Sequence, residues 1–595
     1  MKIWIEIGAL SAKNDAAFQL PSNAVRHLQR EVERVMKTLH RWAAAWWLLW
    51  LVAQVGAQLP KSSGAAPVVV PDDLRAAIAR IQPAALRAHT ELLSDDLFEG
   101  RAPGARGGLL AAKYIAAQFQ TYGLEPVNGS YFQNVPIVNL RAQPTTMTLR
   151  AANGGQVELD YGTEFTAQSG ECLPEVKLDN APVIFAGYGI VAPEYDWNDY
   201  KDVDARGKVV MLLVNDPGLR NPNIFQGRTL TYYGRWTYKF EEAARQGARG
   251  VLLIHTTESA TYPWQVVQSS NTGARSELVR DADSPPVVAL KSWITDDAAV
   301  RIAKLSGKSL AALIEQAERR DFRPVPLDVT LSLDLKSEVT TLESPNVVGL
   351  LPGRDEKLRE ECVVVTAHYD HFGVKDDPPT GKRLVYHGAL DNASGTAALL
   401  AMAEALAKSA WRPRRSVLFL AVTAEEQGLL GAQYYCERPL APLEKTAANV
   451  NLDEVNVFGR TRDFVPLGAE RSTLGKTIDA LAKLEGLTMK PDPFPQNGSF
   501  FRSDHFCFAK AGVPCLSLNF GVEIEGKPAD WGKERFETYL RRDYHQPTDV
   551  IQDDWDFRGA AQHAQFALLI VGVVAEDPAM PDWLPGEAFQ RSKKS

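Results

Sequence analysis

The sequence predicts an α/β protein: a mixed, mainly parallel sheet flanked by helices, with a smaller α/β module inserted. Three observations carry this. From residue 346 onward, apolar β runs alternate with helical runs: ECVVVTA, SGTAALLAMAEALAKS, RSVLFLAV, NVNLD, STLGKTIDALAKLEG and CLSLNF. Such alternation implies parallel strands with helical crossovers on both faces. Over 154–338 the pattern changes to the short β runs VIFAGYG, KVVMLLV, GVLLIH and PVVAL, with one helix, KFEEAARQG. The third observation is length, since 595 residues exceed one average domain.

In chain order, residues 1–57 read as an upstream segment and a signal peptide. Met36 reads as the true start. Lys37 and Arg41 form a positive region, 42–55 is apolar, and Val55, Gly56 and Ala57 form a small-residue cleavage site before Gln58. The apolar run is short for a membrane span. The expectation is therefore an exported protein, periplasmic or extracellular, with no stable membrane insertion after cleavage. Residues 58–153 begin with a Pro/Ser/Ala-rich tether and form the N-terminal helical part of the main domain. Its helices are DDLRAAIARI, ALRAHTELLS and GGLLAAKYIAAQFQTYG, the last closed by Gly123. The inserted module follows at 154–338, the rest of the main domain at 339–580, and a polar tail at 581–595.

Composition narrows the function classes. A net charge of -8 and the lack of any Lys/Arg block argue against nucleic acid or an anionic membrane as partner. The five cysteines, Cys172, Cys362, Cys436, Cys507 and Cys515, do not have zinc-knuckle spacing. Cys507 and Cys515 are near enough in sequence to pair, and Cys362 reads as a buried small hydrophobe. GYGIVA at 187–192 imitates a dinucleotide-binding turn, but Pro193 blocks the helix that must receive the pyrophosphate. There is no G-x-S-x-G elbow for a serine hydrolase.

The chemistry falls at the carboxyl ends of the strands, where open α/β sheets bind ligands. His368, Tyr369 and Asp370 follow ECVVVTA; Glu425 and Glu426 follow RSVLFLAV; NVNLD ends in Asp453, with Glu454 next. YHGALDNASG brings Asp391 to a helix entry, where Ala393, Ser394 and Gly395 leave room and the helix dipole favours negative charge. DYHQPTD adds His545 and Asp549. Singly, each has a plain reading as a polar loop residue, a solvated Glu pair or a turn. Together, two histidines and three carboxylates make a nitrogen and oxygen donor set for two divalent ions, of the type zinc takes. Asp391 fits the bridging position. One of Glu425 and Glu426 binds metal and the other takes a proton from water. Asp370 is the candidate acceptor for the second ring nitrogen of His368.

The motifs AHYDHFG, GALDNASGTA, TAEEQGLLGA, NLDEVN, FRSDHFCFAKAGVPCLSL and RDYHQPTD, spanning about 344–553, resemble the M28 family of exported di-zinc metallopeptidases. That family includes bacterial leucine-type aminopeptidases and glutamate carboxypeptidases. LLSDDLFEGRAPGARGG and YIAAQFQTYGLEP resemble its leading segment. The resemblance implies a zinc-exopeptidase (phosphorylase/hydrolase-like) fold and two Zn2+. It places His368, Asp391 and Asp453 at one ion or the bridge, and Glu426 and His545 at the other. Glu425 becomes the general base, Asp370 the carboxylate behind His368, Tyr544 a group that steadies the oxyanion, and Arg502 a substrate neighbour. The inserted module resembles a protease-associated domain. His387 stands where a small or amide residue is usual, and Glu454 where an apolar one is; neither change removes a ligand. The implied activity is aminopeptidase action on peptides. Alternatives are a glutamate carboxypeptidase type and a one-zinc glutaminyl cyclase-like acyltransferase. Non-catalytic relatives lose ligands that this chain keeps. Oligomeric state stays open.

Overall fold

The computed structural model describes residues 69–377 and 380–591. The expected signal peptide, nearly all of the tether and the last residues of the tail lie outside the described residues.

Three helices open the described residues: α1 (Asp72–Ile78), α2 (Pro83–Leu93) and α3 (Arg106–Tyr122). Pro83 starts α2, where its missing N–H costs nothing. α3 stops at Gly123, which takes φ 87° and donates its N–H to Gln120. Strand β1 (Phe132–Ala142) follows. The second lobe then contributes β2 (Phe165–Ser169), β3 (Glu175–Phe185), β4 (Val209–Leu213), helix α4 (Trp236–Arg245), β5 (Gly250–His255) and β6 (Leu290–Thr295). The PVVAL run is not itself this last strand, which starts at its Leu290. Pro285 and Pro286 lack the N–H groups a ladder needs.

Strand β7 (Val325–Leu351) is 27 residues long and passes through residue 338 unbroken. Its first half pairs antiparallel with β3, and its last residues pair with β9 (Ser416–Val422). β1 runs antiparallel along the stretch between. The remaining strands are β8 (Cys362–His368), β10 (Thr446–Asn451), β11 (Asp463–Leu467), β12 (Thr488–Met489) and β13 (Cys515–Phe520). One sheet runs β12-β11-β13-β10-β8-β9-β7-β3-β4-β5-β6-β2. β13, β10, β8 and β9 are mutually parallel, as are β3, β4, β5 and β6. Alternate residues of β8 feed opposite cores: Val363, Val365 and Ala367 one way, Cys362 and Val364 the other. The second lobe has its own two apolar layers. All five thiols are free, so Cys507 and Cys515 do not pair.

Behind the parallel strands lie α5 (Gly395–Ala407) and α8 (Arg558–Glu576), with α6 (His505–Lys510) and α7 (Trp531–Arg542) between them in sequence. α8 has the length and composition of a membrane-crossing helix, yet 89% of its most apolar window is buried inside the protein. It is a core helix. His563, fully buried on α8, donates from Nε2 to the Leu518 carbonyl at 2.7 Å and accepts the Asn456 N–H at Nδ1.

Burial pushes the His563 pKa from 6.5 down to about 4. Below pH 6.5 the unfolded chain binds a proton there that the folded chain refuses. Stability is therefore lost as pH falls from 6.5 toward 4, by roughly 3 kcal/mol for this residue. Thermal unfolding of wild type and His563→Gln across that range checks it: the variant starts less stable and shows the shallower pH slope.

Candidate metal centre

Every predicted ligand sits just past a strand end or on the loops that face one. His368 is the last residue of β8, Glu425 and Glu426 follow β9, and Asp453 lies two residues beyond β10. Asp391 comes from the turn before α5, and His545 follows α7 with φ 58°. His368 Nε2 lies 3.2 Å from Asp391 Oδ1 and 3.2 Å from Asp453 Oδ1. His545 Nε2 lies 3.1 Å from Asp391 Oδ2 and 3.3 Å from Glu426 Oε2. The five donors form two clusters that share Asp391, one carboxylate oxygen in each.

The Asp391 turn is held on all sides. Arg101, fully buried, donates from Nε to the Tyr369 carbonyl at 2.7 Å and from Nη1 to those of Leu93 and His387, both at 2.6 Å. Its Nη2 reaches the Gly388 carbonyl at 2.7 Å. Asp549 accepts the N–H groups of Leu390 and Asp391 at 3.0 and 3.1 Å. Asn392 takes the N–H groups of Gly395 and Glu454 and donates to the Leu452 carbonyl. The small residues follow from this crowding. A Cβ on Gly395 meets Asn392 Oδ1 at 2.2 Å, and one on Gly388 (φ 54°) meets the Asp391 carbonyl at 2.3 Å. Thr396 Oγ1 bonds the His368 carbonyl at 2.9 Å, locking α5 to the end of β8.

Other predicted residues surround the clusters. Glu425 Oε2 is 4.0 Å from His368 Nε2. The Asp370 carboxylate lies 3.9 Å from His368 Nδ1, but the nearer acceptor for that nitrogen is the Asp370 carbonyl at 3.2 Å. The carboxylate itself accepts the Glu425 N–H at 3.1 Å, so Asp370 ties the His368 and Glu425 segments together. Tyr544 stacks on His545 with ring centres 3.7 Å apart. Arg502 is exposed beside Ser503, whose hydroxyl donates to Asp453 Oδ2 at 2.6 Å. His387 turns away from the donors, with Nδ1 3.0 Å from the Ser94 carbonyl.

Sequence reading missed three participants, Arg101, Asp504 and His371, and gave Asp549 no role. Arg101 and Asp549 hold the loop, although both stood inside quoted motifs. Asp504 is buried, with neither carboxylate oxygen hydrogen-bonded. His371 is buried with Nδ1 2.6 Å from Glu426 Oε1, and it forms a second donor group with Asp391 and Glu426. The histidine three places after His368 in AHYDHFG was the available signal.

The electrostatics call for cations. Burial opposes charge on His368, yet Asp453, Glu425 and Asp391 raise its pKa well above normal. Burial, with mutual repulsion, raises Glu425, Glu426 and Asp504 well above the carboxylate range. Burial also opposes charge on Asp391, but the two histidines hold it well below that range. Arg101 is the buried cation facing these acids, and burial lowers its own pKa to about 10. Among the described residues, Asp370 Oδ2 and His371 Nε2 have no hydrogen-bond partner, and Glu426 Oε1 and His371 Nδ1 lie close without the alignment of a hydrogen bond. Oxygen and nitrogen donors converging in two clusters that share Asp391 fit a pair of divalent ions.

Comparison with known proteins agrees with this geometry. The family description "Peptidase family M28" matches residues 346–570, the span holding all five donors. That match makes the stretch from 346 to 570 similar to peptidase family M28. The chain is 27% identical over 390 residues to "Aminopeptidase YwaD" of Bacillus subtilis (strain 168), covering 65% of each chain. It is 35% identical over 140 residues to "Aminopeptidase NAALADL1" of Mus musculus, which is 23% of this chain and 16% of that one. The chain thus matches under two thirds of the length of either relative. The solved "Aminopeptidase from Aneurinibacillus sp. strain AM-1" aligns over 87% of this chain and 100% of its own, with 20% identity and a TM-score of 0.46.

Replacing Arg101 by Met leaves four backbone carbonyls without their donor and the buried acids without their cation. The expected cost is about 3–5 kcal/mol of stability. A lower unfolding midpoint together with fewer metal equivalents retained after gel filtration is the expected result.

Proposed function

We propose that this chain is an exported zinc-dependent exopeptidase, acting as an aminopeptidase on peptides. The division of the Asp391 oxygens between His368 and His545 carries the reading, because it prepares two adjacent metal positions joined by one carboxylate. His368, Asp391 and Asp453 would hold one ion; His545, Asp391 and Glu426 the other, with His371 behind Glu426. Zinc at such positions supplies charge that polarises a carbonyl and makes water acidic.

The chain's own groups do the rest. Glu425 is placed to take a proton from the attacking water on its carboxylate and return it to the leaving amine. Burial and the neighbouring acids raise its pKa, which strengthens it as a base. The Asp370 hold on the Glu425 N–H fixes the base relative to His368. Tyr544, half exposed above His545, is placed to donate to the developing oxyanion. The carboxylates left over favour a substrate that brings an ammonium group.

Of the four arginines open to a carboxypeptidase reading, Arg535, Arg541 and Arg542 pair with Asp554, Glu537 and Asp543, which leaves Arg502 alone without an acidic partner among the described residues. Donors for two ions disfavour a one-zinc acyltransferase. The second lobe, read as a protease-associated module, supports the rim of the site: Leu230 bonds the Pro495 carbonyl, and Tyr232 packs on Phe506. Export rests on the apolar run at 42–55 and the small residues after it.

The test uses one peptide in free and N-acetylated forms, with products read by mass. Stepwise loss from the free N-terminus alone is expected. Glu425→Gln lowers kcat by about a hundredfold or more while keeping the metal. Cleavage of C-terminal residues from both forms rejects the aminopeptidase.

A further inference from the structure

A crevice between the lobes is lined by Asn215, Arg235 and Tyr262 on one side and Gln496, Asn497 and Arg502 on the other. Arg235 immediately precedes α4, so the crevice opens at the positive end of that helix. The Arg235 side chain makes no ion pair among the described residues, and its Nε is buried with no hydrogen-bond partner. The charged groups acting on it are Arg502 and Tyr262, with no carboxylate among them. Arg502 likewise has no acidic partner; its Nε donates to the Asn497 carbonyl at 3.1 Å. Elsewhere on this acidic chain, arginines pair readily: Arg245 with Glu242, Arg249 with Glu171, Arg438 with Asp281.

Two like charges turned into one crevice repel each other. They stay unpaired at a cost that an anion removes. The chain links the crevice to the centre, since Arg502 precedes Ser503, whose hydroxyl bonds Asp453. The lobes are also tied together by the Lys510–Glu241 ion pair at 2.8 Å and by Tyr232 against Phe589. A planar guanidinium recognises a carboxylate with paired N–H donors, which Asn and Gln amides can supplement.

We propose that Arg235 and Arg502 bind a carboxylate of the substrate, located beyond the scissile bond, and so select short or acidic peptides. This rests on the exopeptidase reading. Two sources share the chemistry: the C-terminus of a dipeptide, or an acidic side chain on the residue after the cleaved bond. Either makes the second lobe a specificity element, because it supplies the more buried arginine.

The experiment measures kcat/KM of the zinc-loaded full chain on Leu-Ala, Leu-Ala amide, Leu-Glu amide and Leu-Gln amide. About tenfold preference for Leu-Ala over its amide assigns the crevice to the C-terminus; the same preference for Leu-Glu amide over Leu-Gln amide assigns it to a side chain. Arg235→Gln brings that ratio to about one, and Arg235→Lys restores part of it. Arg502→Gln, at an exposed position, repeats the test if the Arg235 variant does not fold. Saturation-transfer NMR with N-acetylalanine and N-acetylalaninamide reads the crevice without turnover. If no peptide is cleaved but the acid alone binds, and binds through Arg235, the activity reading fails and the carboxylate site stands. Equal handling of acids and amides by wild type overturns the proposal. So does a preference that survives both arginine changes.

Discussion

Buried negative charge is the constraint on which the rest of this structure depends. Asp370, Asp391, Glu425, Glu426, Asp453, Asp504 and Asp549 are brought together at one edge of the sheet. Crowded acids in a low-dielectric setting raise one another's pKa and oppose folding unless positive charge enters. Arg101 supplies part of it from the loop before α3. Its guanidinium spans three segments at once: the α2 terminus, the residue after His368, and the His387–Gly388 turn. The remaining deficit is the site's chemistry, because the same unshared donors that cost stability in isolation attract divalent ions.

The second constraint is covalent continuity. β7 belongs to both lobes, pairing with β3 at one end and with β9 at the other. A single strand of this length cannot bend at a linker, so the lobes share a ladder rather than a hinge. That rigidity lets a residue of the second lobe, Arg235, hold a set place beside Arg502 and, through Ser503, beside Asp453. The centre and the crevice are separate functions of one framework: the first accepts cations, the second an anion.

The donors were legible because each stands at a strand end or helix entry, positions that periodicity locates well. The small residues around Asp391 were legible for a local reason: they are the ones its crowded turn demands. Arg101 and Asp549 were invisible as supports, since what they bond is backbone carbonyls and N–H groups from segments hundreds of residues away. Asp370 was expected to meet His368 with its carboxylate, but its carbonyl lies closer, a difference that depends on how the chain turns after β8. β7 hid in plain alternation: LDVTLSLDL has the period of a half-buried strand, yet its length is set by two partners, not by its own residues.

The sequence by itself determined the α/β class, the parallel strands, and the donor types and their order, because strand and helix periods and metal-ligand chemistry are local properties. Only the tertiary structure decided how the Asp391 oxygens divide between two histidines, that His371 stands behind Glu426, and that Arg235 faces Arg502 with no acid between. Those facts are distances between residues far apart in the chain, and close packing of the folded whole sets them.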